Sequence, residues 1–475
     1  MENSIRGLRN SLIKQLLKVV GPEGLIVDEQ EKRPYEVDWL NKWHGLSSLI
    51  VRPATTQQTA DVMRICHDNR TPVVVQGGNT GMSGGATPDD SGAQVVLSMR
   101  RMNTILDVDG FNNTITVQAG VVLAHIQESA EKINRYFPLS LGSEGSCTIG
   151  GNLATNAGGI SVLRYGNTRE LTLGIEVVLS DGRIWSGLRA LRKDNTGYDL
   201  RDMFIGSEGT LGVITGAVLK LFPLPTVRSS AWVGAENLQS LVRLLELMRT
   251  RCGERLSAFE MMSADSVALV MEHVTGVVSP LAQSYPVYAL IELADMNNEG
   301  LAKMLEGTLE SALESGDIRD AAISTSLAQR QNFWKIREGI SQAQLRAGKV
   351  IKHDIALPIS ALSDFADLAV RAVHAEQKNA RIINFGHVGD GNLHFNVLLP
   401  PETDYQMLAD ATRRLNRVVH DLVSEKNGSI SAEHGVGQLR RDELRHYKSA
   451  VELELMLSLK QVLDPNQIMN PGKLI

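Results

Sequence analysis

The segment Asn384-Phe-Gly-His387-Val-Gly-Asp390-Gly-Asn-Leu-His394-Phe-Asn396-Val397 places a glycine-rich turn between two apolar runs. Glycine clusters mark turns, and apolar residues in short runs on both sides of a turn favour extended strands. The pattern predicts a β-hairpin in which His387 and His394 lie on either side of the turn. Two imidazoles would then converge at one end of an antiparallel pair of strands.

A second segment, Ser431-Ala-Glu433-His434-Gly435, adds a carboxylate and a third imidazole about forty residues later. For any single histidine in an apolar strand, a place in the core is the plainer interpretation. Here the candidates all lie close to glycines, which let a backbone approach a ligand. His387, His394 and Glu433 therefore predict a three-ligand metal site with open positions, an arrangement typical of catalysis. Two nitrogens and one oxygen suit Zn²⁺, and Mn²⁺ or Fe²⁺ would also be accommodated.

The length and composition of the chain indicate a globular protein of more than one domain. Its 475 residues exceed one ordinary core and predict two or three domains. A hydrophobic content of 43% and a charged content of 21% are typical of soluble globular proteins. The net charge of −6 and the lack of a basic run with interleaved aromatic residues argue against nucleic-acid binding.

Cysteine usage and hydropathy bear on the cellular compartment. Cys66, Cys147 and Cys252 are widely spaced and form no CxxC motif, which favours a reducing compartment. No apolar run approaches the roughly 18 residues of a membrane span. Apolar residues at helical spacing from Met1 to Val20 predict an amphipathic packing helix, with a weak organelle-targeting signal as the alternative. We expect a cytoplasmic location, with peripheral attachment at the inner membrane face as a further alternative.

The pattern of elements changes at Phe222-Pro-Leu-Pro225, which is a predicted domain boundary. Before this boundary, Pro72–Gln76 and Thr114–Gln118 have the character of strands, and Ile175–Gly182 that of a hairpin. The segment Val121–Tyr136 has the periodicity of a helix. After the boundary, helical and strand patterns alternate, and the last part of the chain is mainly helical.

Two glycine-rich loops lie in the first part of the chain, Gln76–Gly85 and Gly142–Gly159. Glycines without Cβ let backbone N–H groups converge on an anion, and the interspersed Ser, Thr and Asn residues supply further donors. Neither loop is a P-loop, since no Lys-Ser/Thr follows the glycines, and neither has the spacing of a Rossmann fingerprint. One such loop is usually only a tight turn. Two in one domain predict a dinucleotide site.

These loops, the segment Gly206-Ser207-Glu208-Gly209-Thr210-Leu-Gly212-Val-Ile214-Thr215, the histidine hairpin and the terminal Asn470-Pro471-Gly472-Lys473 occur in this order. Together they resemble the FAD-linked D-2-hydroxyacid dehydrogenases of the vanillyl-alcohol-oxidase type, most closely the D-2-hydroxyglutarate dehydrogenases. D-Lactate dehydrogenase and the glycolate oxidase D subunit are near relatives. The resemblance covers the chain from about Leu49 to its end.

The resemblance implies an α+β fold in three parts. The FAD-binding domain of the vanillyl-alcohol-oxidase type would occupy residues 1–225, with the N-terminal helical segment included. An α+β substrate or cap domain, with an antiparallel sheet over the flavin, would occupy residues 226–425. A helical segment over residues 426–475 would pack back on the FAD-binding domain.

The resemblance also implies how FAD is held. The cofactor-binding residues implied by the family are Gly77, Gly78, Asn79, Thr80, Gly81, Met82, Gly142, Ser143, Ser146, Thr148, Gly151, Asn152, Thr155, Asn156, Glu208, Gly209, Gly212, Ile214 and Asn470. Some members attach the flavin covalently through a histidine in the first loop. Here that loop offers Asn79 and Thr80, and no histidine lies between His67 and His125. FAD is therefore expected to be non-covalent.

The three candidate metal ligands suggest a chemistry for a 2-hydroxy acid. Such an acid presents a carboxylate oxygen and the C2 hydroxyl as a chelate, and coordination lowers the pKa of the hydroxyl. His434 would act as general base for that proton, and the hydrogen on C2 would leave as hydride to flavin N5. The exchange of roles, with His434 as ligand and Glu433 as base, stays open from the residues alone. The resemblance favours the first assignment.

Further residues are candidates for binding a second carboxylate of the substrate. A predicted helix places Arg337 and Ser341 one turn apart on the same face, and Lys352 falls in a predicted strand. In proteins that resemble this chain, the matching residues grip a substrate carboxylate, and Asn396 also lines the pocket. The plainer interpretation of Arg337 and Lys352 is an ion pair, for Arg337 with Glu338 or another surface acid. A dicarboxylate, D-2-hydroxyglutarate, is the expected substrate.

Several alternatives and partners accompany this hypothesis. Oxidation of D-lactate or glycolate is the alternative within the class. A metallohydrolase without flavin, which would be colourless, and a non-catalytic protein on an enzyme scaffold come from other classes. The family implies an electron-transfer flavoprotein or a quinone as electron acceptor. A homodimer is considered, but the sequence does not decide the oligomeric state.

Overall fold

The computed structural model describes residues 2–297 and 300–475, with the side chains of the first helix described from residue 11 onward. Met1, included in the predicted N-terminal helix, lies outside the described residues. The chain forms two compact units. The first unit comprises Met1–Gly159, Gly166–Pro223 and Glu433–Ile475, and the second comprises Ile160–Tyr165 and Leu224–Ala432. The predicted boundaries lie at 225/226 and 425/426. The sequence did not predict that residues 160–165 belong to the second unit.

The helices of the described residues are α1 (Glu2–Val20), α2 (Glu29–Glu36), α3 (Thr56–Asp68), α4 (Leu123–Glu131), α5 (Ile149–Thr155), α6 (Val162–Tyr165), α7 (Arg201–Phe204), α8 (Leu238–Cys252), α9 (Ala264–His273), α10 (Leu301–Glu314), α11 (Leu327–Ala347), α12 (Leu362–Glu376), α13 (Tyr405–Glu425), α14 (Arg441–Tyr447) and α15 (Ala450–Leu463).

The strands are β1 (Leu25–Ile26), β2 (Leu49–Val51), β3 (Val73–Gln76), β4 (Val95–Ser98), β5 (Ile105–Asp109), β6 (Thr114–Gln118), β7 (Arg135–Tyr136), β8 (Thr172–Val178), β9 (Ile184–Ser186), β10 (Val213–Lys220), β11 (Phe222–Pro223), β12 (Val227–Ala235), β13 (Leu256–Ser263), β14 (Val287–Asp295), β15 (Asp320–Ile323), β16 (Lys349–Ile351), β17 (Asp354–Ala356), β18 (Arg381–Gly386) and β19 (Asn392–Leu399).

The first unit contains a four-stranded sheet in the order β1-β2-β4-β3. Strands β2, β4 and β3 run parallel and are buried along almost their whole length. Parallel strands covered on both faces have near-continuous apolar sequences. The predicted strand at 72–76 is therefore confirmed, and it delivers the chain directly into the first glycine-rich loop.

A five-stranded antiparallel sheet, in the order β5-β6-β10-β8-β9, completes the main framework of the first unit. The predicted strand at 114–118 and the hairpin formed by β8 and β9 are confirmed. The helix predicted over 121–136 is shorter than expected. It covers only α4, because Asn134 adopts a left-handed conformation (φ 56°) and turns the chain into β7.

Helix α1 packs through one face, since Leu12, Leu16 and Val20 are buried at four-residue spacing. It ends at Val20, because Gly21 follows with φ of 70°, and the predicted amphipathic helix is confirmed. Within residues 2–297 and 300–475, we find no helix with both the length and the apolar character needed to cross a bilayer.

The second unit is built on an eight-stranded antiparallel sheet in the order β15-β12-β14-β13-β18-β19-β16, with β17 also paired to β19. The predicted hairpin is confirmed as β18 and β19, in which Phe385 lies opposite His394. Side chains alternate between the two faces of a sheet. One face packs with α8, α10, α12 and α13. The other packs with α9 and α11, and β18 contributes Ile383 and Phe385 to it.

The strand predicted around Lys352 is interrupted, which corrects the expectation from the sequence. Strand β16 ends at Ile351 and β17 begins at Asp354. Between them, the backbone N–H of His353 donates to the side-chain oxygen of Asn396 rather than to a strand partner. Lys352 thus lies in a short irregular link and is half-buried.

Candidate active site

The first unit contains a cavity formed by the two glycine-rich loops, the segment 207–214 and His434, and we call it the glycine cavity. The predicted cofactor-binding residues that line it are Gly77, Gly78, Asn79, Thr80, Gly81, Thr148, Gly151, Asn152, Thr155, Glu208, Gly209, Gly212 and Ile214. The predicted residues that lie outside its lining are Met82, Gly142, Ser143, Ser146, Asn156 and Asn470. The two loops predicted from glycine spacing therefore border one common space.

The close approach of the two loops requires glycine in the first of them. A Cβ at Gly78 would lie 2.3 Å from the carbonyl oxygen of Ser146, and one at Gly77 would lie 2.4 Å from Thr148 Oγ1. Side chains at these positions would separate the loops. At Gly81, by contrast, a Cβ would meet no described atom within 4 Å. The backbone there is open to a ligand.

Polar atoms on the wall of the glycine cavity lack protein partners. Thr148 Oγ1 and Asn152 Oδ1 are buried and find no hydrogen-bond partner among the described residues. Buried polar atoms in native proteins are almost always paired, so such atoms indicate a bound ligand or water. An elongated polar cofactor with hydroxyl and phosphate groups would supply those partners, and FAD fits this wall.

His434 enters the glycine cavity on a loop that Glu208 holds in place. Glu208 Oε1 accepts from the backbone N–H of Val436 at 2.7 Å, and Oε2 accepts from Gly437 at 2.7 Å. Burial raises the pKa of the Glu208 carboxyl, and these two N–H groups oppose the rise only in part. Ser83 Oγ also donates to the carbonyl oxygen of His434 at 3.0 Å. Glu208, predicted as a cofactor residue, therefore also fixes the histidine loop.

Two more predicted residues stabilise this part of the first unit. Asn470 Nδ2 donates to the carbonyl oxygens of Gly85 and Glu208, and so links the C-terminus to both walls of the glycine cavity. Glu433 Oε1 accepts from the backbone N–H of Gly159 at 2.7 Å. That hydrogen bond joins Glu433 to the end of the second glycine-rich loop.

The second unit brings His387 and His394 together, as the hairpin predicts. Their ring centroids lie 5.7 Å apart with the rings nearly perpendicular. His394 also lies 4.9 Å from the Phe385 ring across the β18–β19 pair. Two imidazoles at this separation can direct nitrogen atoms at one common point. The turn between them is held by Arg249, which donates to the carbonyl oxygen of Gly389.

Each histidine presents Nδ1 to a buried carboxylate. His387 Nδ1 lies 2.7 Å from Glu260 Oε1, and His394 Nδ1 lies 3.6 Å from Asp354 Oδ1. Both acids are 1% exposed. A carboxylate hydrogen-bonded to Nδ1, as Glu260 is to His387, favours the proton on that nitrogen and makes Nε2 the metal-binding atom, which is how metal-binding histidines are oriented. The donor set of the second unit therefore suits a divalent metal ion.

Glu260 is charged in this environment despite its burial. Burial alone favours the protonated carboxyl, but the neighbouring His387 and Arg337 outweigh that effect, so the pKa of Glu260 lies below its usual range. Its second oxygen, Oε2, accepts from Arg337 Nε at 2.9 Å and lies 2.8 Å from Nη2.

The four predicted substrate residues differ in their surroundings. Arg337 is buried at 8% exposure and pairs with Glu260, whereas Ser341 is exposed on the same helix. Arg337 thus forms an ion pair, as considered from the sequence, but with the buried Glu260 and not with a surface acid. Asn396 is 3% exposed, and its amide donates to Gln344 and accepts from His353. Asn396 therefore holds the backbone of the segment next to Lys352 in place.

Sequence reasoning missed Glu260 and Asp354. Glu260 lies in the apolar run Ala258-Phe-Glu260-Met-Met262, where a single carboxylate signals a buried partner. Its partner could not be found in the sequence, because it is 127 residues away. Asp354 lies beside His353 in a short strand and carries no comparable signal.

Comparisons with known proteins agree with this architecture. Residues 224–474 match the family described as FAD linked oxidases, C-terminal domain, and residues 47–187 match the FAD binding domain. A probable mitochondrial D-2-hydroxyglutarate dehydrogenase of Oryza sativa subsp. indica is 38% identical over 470 residues, which cover 98% of this chain and 82% of that protein. The Bos taurus mitochondrial D-2-hydroxyglutarate dehydrogenase is 40% identical over 460 residues, covering 97% and 82%.

A putative mitochondrial D-lactate dehydrogenase of Schizosaccharomyces pombe is 36% identical, covering 96% of this chain and 88% of that protein. Among solved structures, p-cresol methylhydroxylase superposes with a TM-score of 0.78 at 16% identity, over 98% of this chain and 97% of that one. This likeness confirms the predicted α+β fold of the vanillyl-alcohol-oxidase type. The chain therefore belongs to the family of FAD-linked oxidases, in the group of the D-2-hydroxyglutarate dehydrogenases, and is an FAD-dependent oxidoreductase.

Proposed function

We propose that the chain oxidises D-2-hydroxyglutarate to 2-oxoglutarate with FAD and a divalent metal ion. The observation that carries the proposal is the orientation of His387 and His394, whose Nδ1 atoms face buried carboxylates. The names of the plant and bovine relatives support the substrate. The metallohydrolase alternative is wrong, because the chain contains an FAD-binding domain.

The glycine cavity would hold FAD through the two loops and the segment 207–214. When bound, FAD would supply the acceptor for the hydride that leaves C2 of the 2-hydroxy acid. Thr148 and Asn152 would bind polar groups of the cofactor with the buried atoms described above. His434 is the histidine on the cavity wall and is assigned a different role below, so we propose that the cofactor is non-covalent.

Denaturation with acid or heat is expected to release all of the flavin. The physical reason is that hydrogen bonds and packing alone would hold it, and these are lost on unfolding. After centrifugation, the absorbance near the flavin bands should appear in the supernatant, and the protein pellet should be colourless. Yellow colour that stays with the denatured protein would contradict non-covalent binding.

We propose that Glu433 is the third metal ligand beside His387 and His394. The backbone N–H of Ala432 donates to the carbonyl oxygen of Asp354 at 3.1 Å, and Asp354 is opposite His394 in the strand register. Glu433 is the next residue along the chain, only one Cα–Cα step away. A divalent ion supplies Lewis acidity that lowers the pKa of a coordinated hydroxyl. Two imidazoles and one carboxylate favour Zn²⁺.

We propose that His434 removes the hydroxyl proton of the substrate. It lines the glycine cavity, and the Glu208 and Ser83 hydrogen bonds fix its loop. Imidazole is the side chain best suited to accept a proton near neutral pH. The exchange of roles between His434 and Glu433 is the alternative, and the first experiment of the Discussion separates the two.

The distal carboxylate of the substrate would be bound by Arg337 and Lys352, with Ser341 as a hydroxyl donor. Arg337 carries five N–H groups, and Glu260 occupies only part of them. A planar guanidinium fixed on one side by a carboxylate offers its remaining donors in a defined direction. Lys352 lies in the irregular link after β16, beside the strand that carries His394.

The variant Lys352→Ala is expected to lower kcat/KM for D-2-hydroxyglutarate by about tenfold or more, since a charge-assisted hydrogen bond is worth roughly 1.5–3 kcal/mol. The value for D-lactate, which has no second carboxylate, should change little. Steady-state kinetics with both substrates measure this. Lys349→Ala, an exposed lysine of the same segment, is the control. Equal rates for Lys352→Ala and the unaltered protein on both substrates would contradict the choice of substrate.

Oxidation of D-lactate or glycolate is the second candidate, and the fission yeast relative named as a putative D-lactate dehydrogenase favours it. The same pair of substrates decides between the two. An electron-transfer flavoprotein or a quinone as acceptor stays a prediction from the resemblance. The cytoplasmic location stays a prediction from cysteine usage, and a homodimer stays an option that the sequence does not decide. The plant and bovine relatives are named as mitochondrial proteins.

A further inference from the structure

Glu260 contacts two residues that the proposed function assigns to different tasks. Its oxygen Oε1 lies 2.7 Å from Nδ1 of the metal ligand His387, and Oε2 lies 2.8 and 2.9 Å from two nitrogens of the substrate residue Arg337. The carboxylate is 1% exposed, so water does not screen either contact. One buried side chain thus orients both groups.

The sheet register explains why Glu260 reaches both partners. Strand β13 pairs antiparallel with β18, with Met261 opposite Gly386 and Met262 opposite Phe385. One step further along this register, Glu260 comes opposite His387. Side chains two residues apart in a strand point to the same face of the sheet. Glu260 therefore shares the face of Met262, which packs with α9 and α11. Arg337 projects from α11 onto this face.

Phe385 also contacts both the substrate residue Arg337 and the metal ligand His394. The guanidinium carbon of Arg337 lies 4.9 Å from the centre of the Phe385 ring, and the His394 ring lies 4.9 Å from the same ring. A cation over an aromatic face is attracted to it. Arg337 is therefore held by a carboxylate and by an aromatic ring, and each of these two groups also contacts one of the paired histidines.

We propose that Glu260 is a positioning residue that holds the metal ligand His387 and the substrate residue Arg337 on one carboxylate, so that metal affinity and preference for a dicarboxylate both depend on it. This inference rests on the proposed function. Glu260 keeps the proton of His387 on Nδ1, so that Nε2 is the nitrogen that would bind an ion. It also fixes the plane of the Arg337 fork, which makes two-point contact with a carboxylate possible.

The variant Glu260→Gln changes the pattern of donors at nearly constant volume. Its single carbonyl oxygen can accept from Arg337, but its NH₂ group then faces His387 Nδ1. That nitrogen must become an acceptor, and the ring proton moves to Nε2, where it blocks metal binding. Glutamine also removes the charge that pairs with Arg337.

Glu260→Gln is expected to weaken Zn²⁺ binding by about 10–100-fold, measured by competition with a chromophoric chelator. At saturating Zn²⁺, the ratio of kcat/KM for D-2-hydroxyglutarate to that for D-lactate should fall by roughly tenfold, the loss of about one charge-assisted hydrogen bond. The flavin content should not change. An unchanged Zn²⁺ affinity or an unchanged substrate ratio would overturn the proposal.

Glu292→Gln is the matched control. Glu292 is 3% exposed on the neighbouring strand β14 and pairs with Arg228 and Arg330. Its replacement disturbs an equally buried ion pair, but Zn²⁺ affinity and the substrate ratio should stay as in the unaltered protein.

If Glu260→Gln does not fold, Glu260→Asp is the second variant. It keeps the charge but withdraws it from His387 by one methylene, so the same losses of Zn²⁺ affinity and of substrate preference are expected. An unaltered protein that binds no divalent metal would instead refute the proposed function.

Discussion

The variant His434→Gln is expected to lower kcat for D-2-hydroxyglutarate by about 10²–10⁴-fold, the usual contribution of a general base. Glutamine keeps a polar side chain of similar length but cannot accept the hydroxyl proton. Because His434 is proposed as the base and not as a ligand, the Zn²⁺ content should equal that of the unaltered protein. The flavin spectrum should also be unchanged, and stopped-flow bleaching of the flavin band by substrate would show the loss directly.

The control for this variant is His125→Gln, which replaces an exposed histidine on α4 of the same unit. Its turnover should match that of the unaltered protein. If His434→Gln instead loses Zn²⁺ together with activity, His434 is a ligand and Glu433 becomes the base. A kcat within about twofold of the unaltered value would reject both assignments.

Removal of the divalent metal is expected to lower turnover on the order of a thousandfold, because Lewis-acid stabilisation is worth several kcal/mol. His394→Ala should produce the same loss, since it deletes one of the two imidazole ligands and leaves too few ligands for tight binding. Dialysis against a chelator followed by metal analysis and rate measurement tests the first statement. Addition of Zn²⁺, Mn²⁺ or Fe²⁺ to the metal-free protein then identifies the ion that restores activity.

His374→Ala is the control for His394→Ala. His374 is an exposed histidine of α12 in the same unit, and its Nε2 lies 3.1 Å from the carbonyl oxygen of Ala380. Its replacement should leave metal content and turnover unchanged. Full turnover by protein shown to contain no divalent metal would refute the metal-dependent mechanism, although the family and the flavin chemistry would stand.

Glu208 has a second role that its glycine-rich sequence context does not indicate. The glycine segment around it resembles a cofactor loop, and Glu208 does line the glycine cavity. Its two carboxylate oxygens are nevertheless occupied by the N–H groups of Val436 and Gly437. The same residue thus borders the cofactor site and fixes the loop that carries His434. The position of the proposed base therefore depends on a residue that also lines the proposed cofactor site.

The sequence alone determined the elements whose formation is local. The histidine hairpin, the buried strand before the first glycine-rich loop and the amphipathic helix α1 were all predicted, because turn glycines and apolar periodicity act over a few residues. The glycines of the two loops also predicted a shared site, since only residues without Cβ allow backbones to approach as closely as Gly78 and Ser146 do.

The tertiary structure alone decided which distant side chains meet. The β13–β18 register places Glu260 beside His387, and the packing of α11 brings Arg337 to the same carboxylate. It also moved Lys352 out of a strand, because Asn396 takes the His353 backbone N–H. Such contacts join positions tens to more than a hundred residues apart. No local pattern encodes them, since they depend on strand pairing and helix packing that the whole chain establishes together.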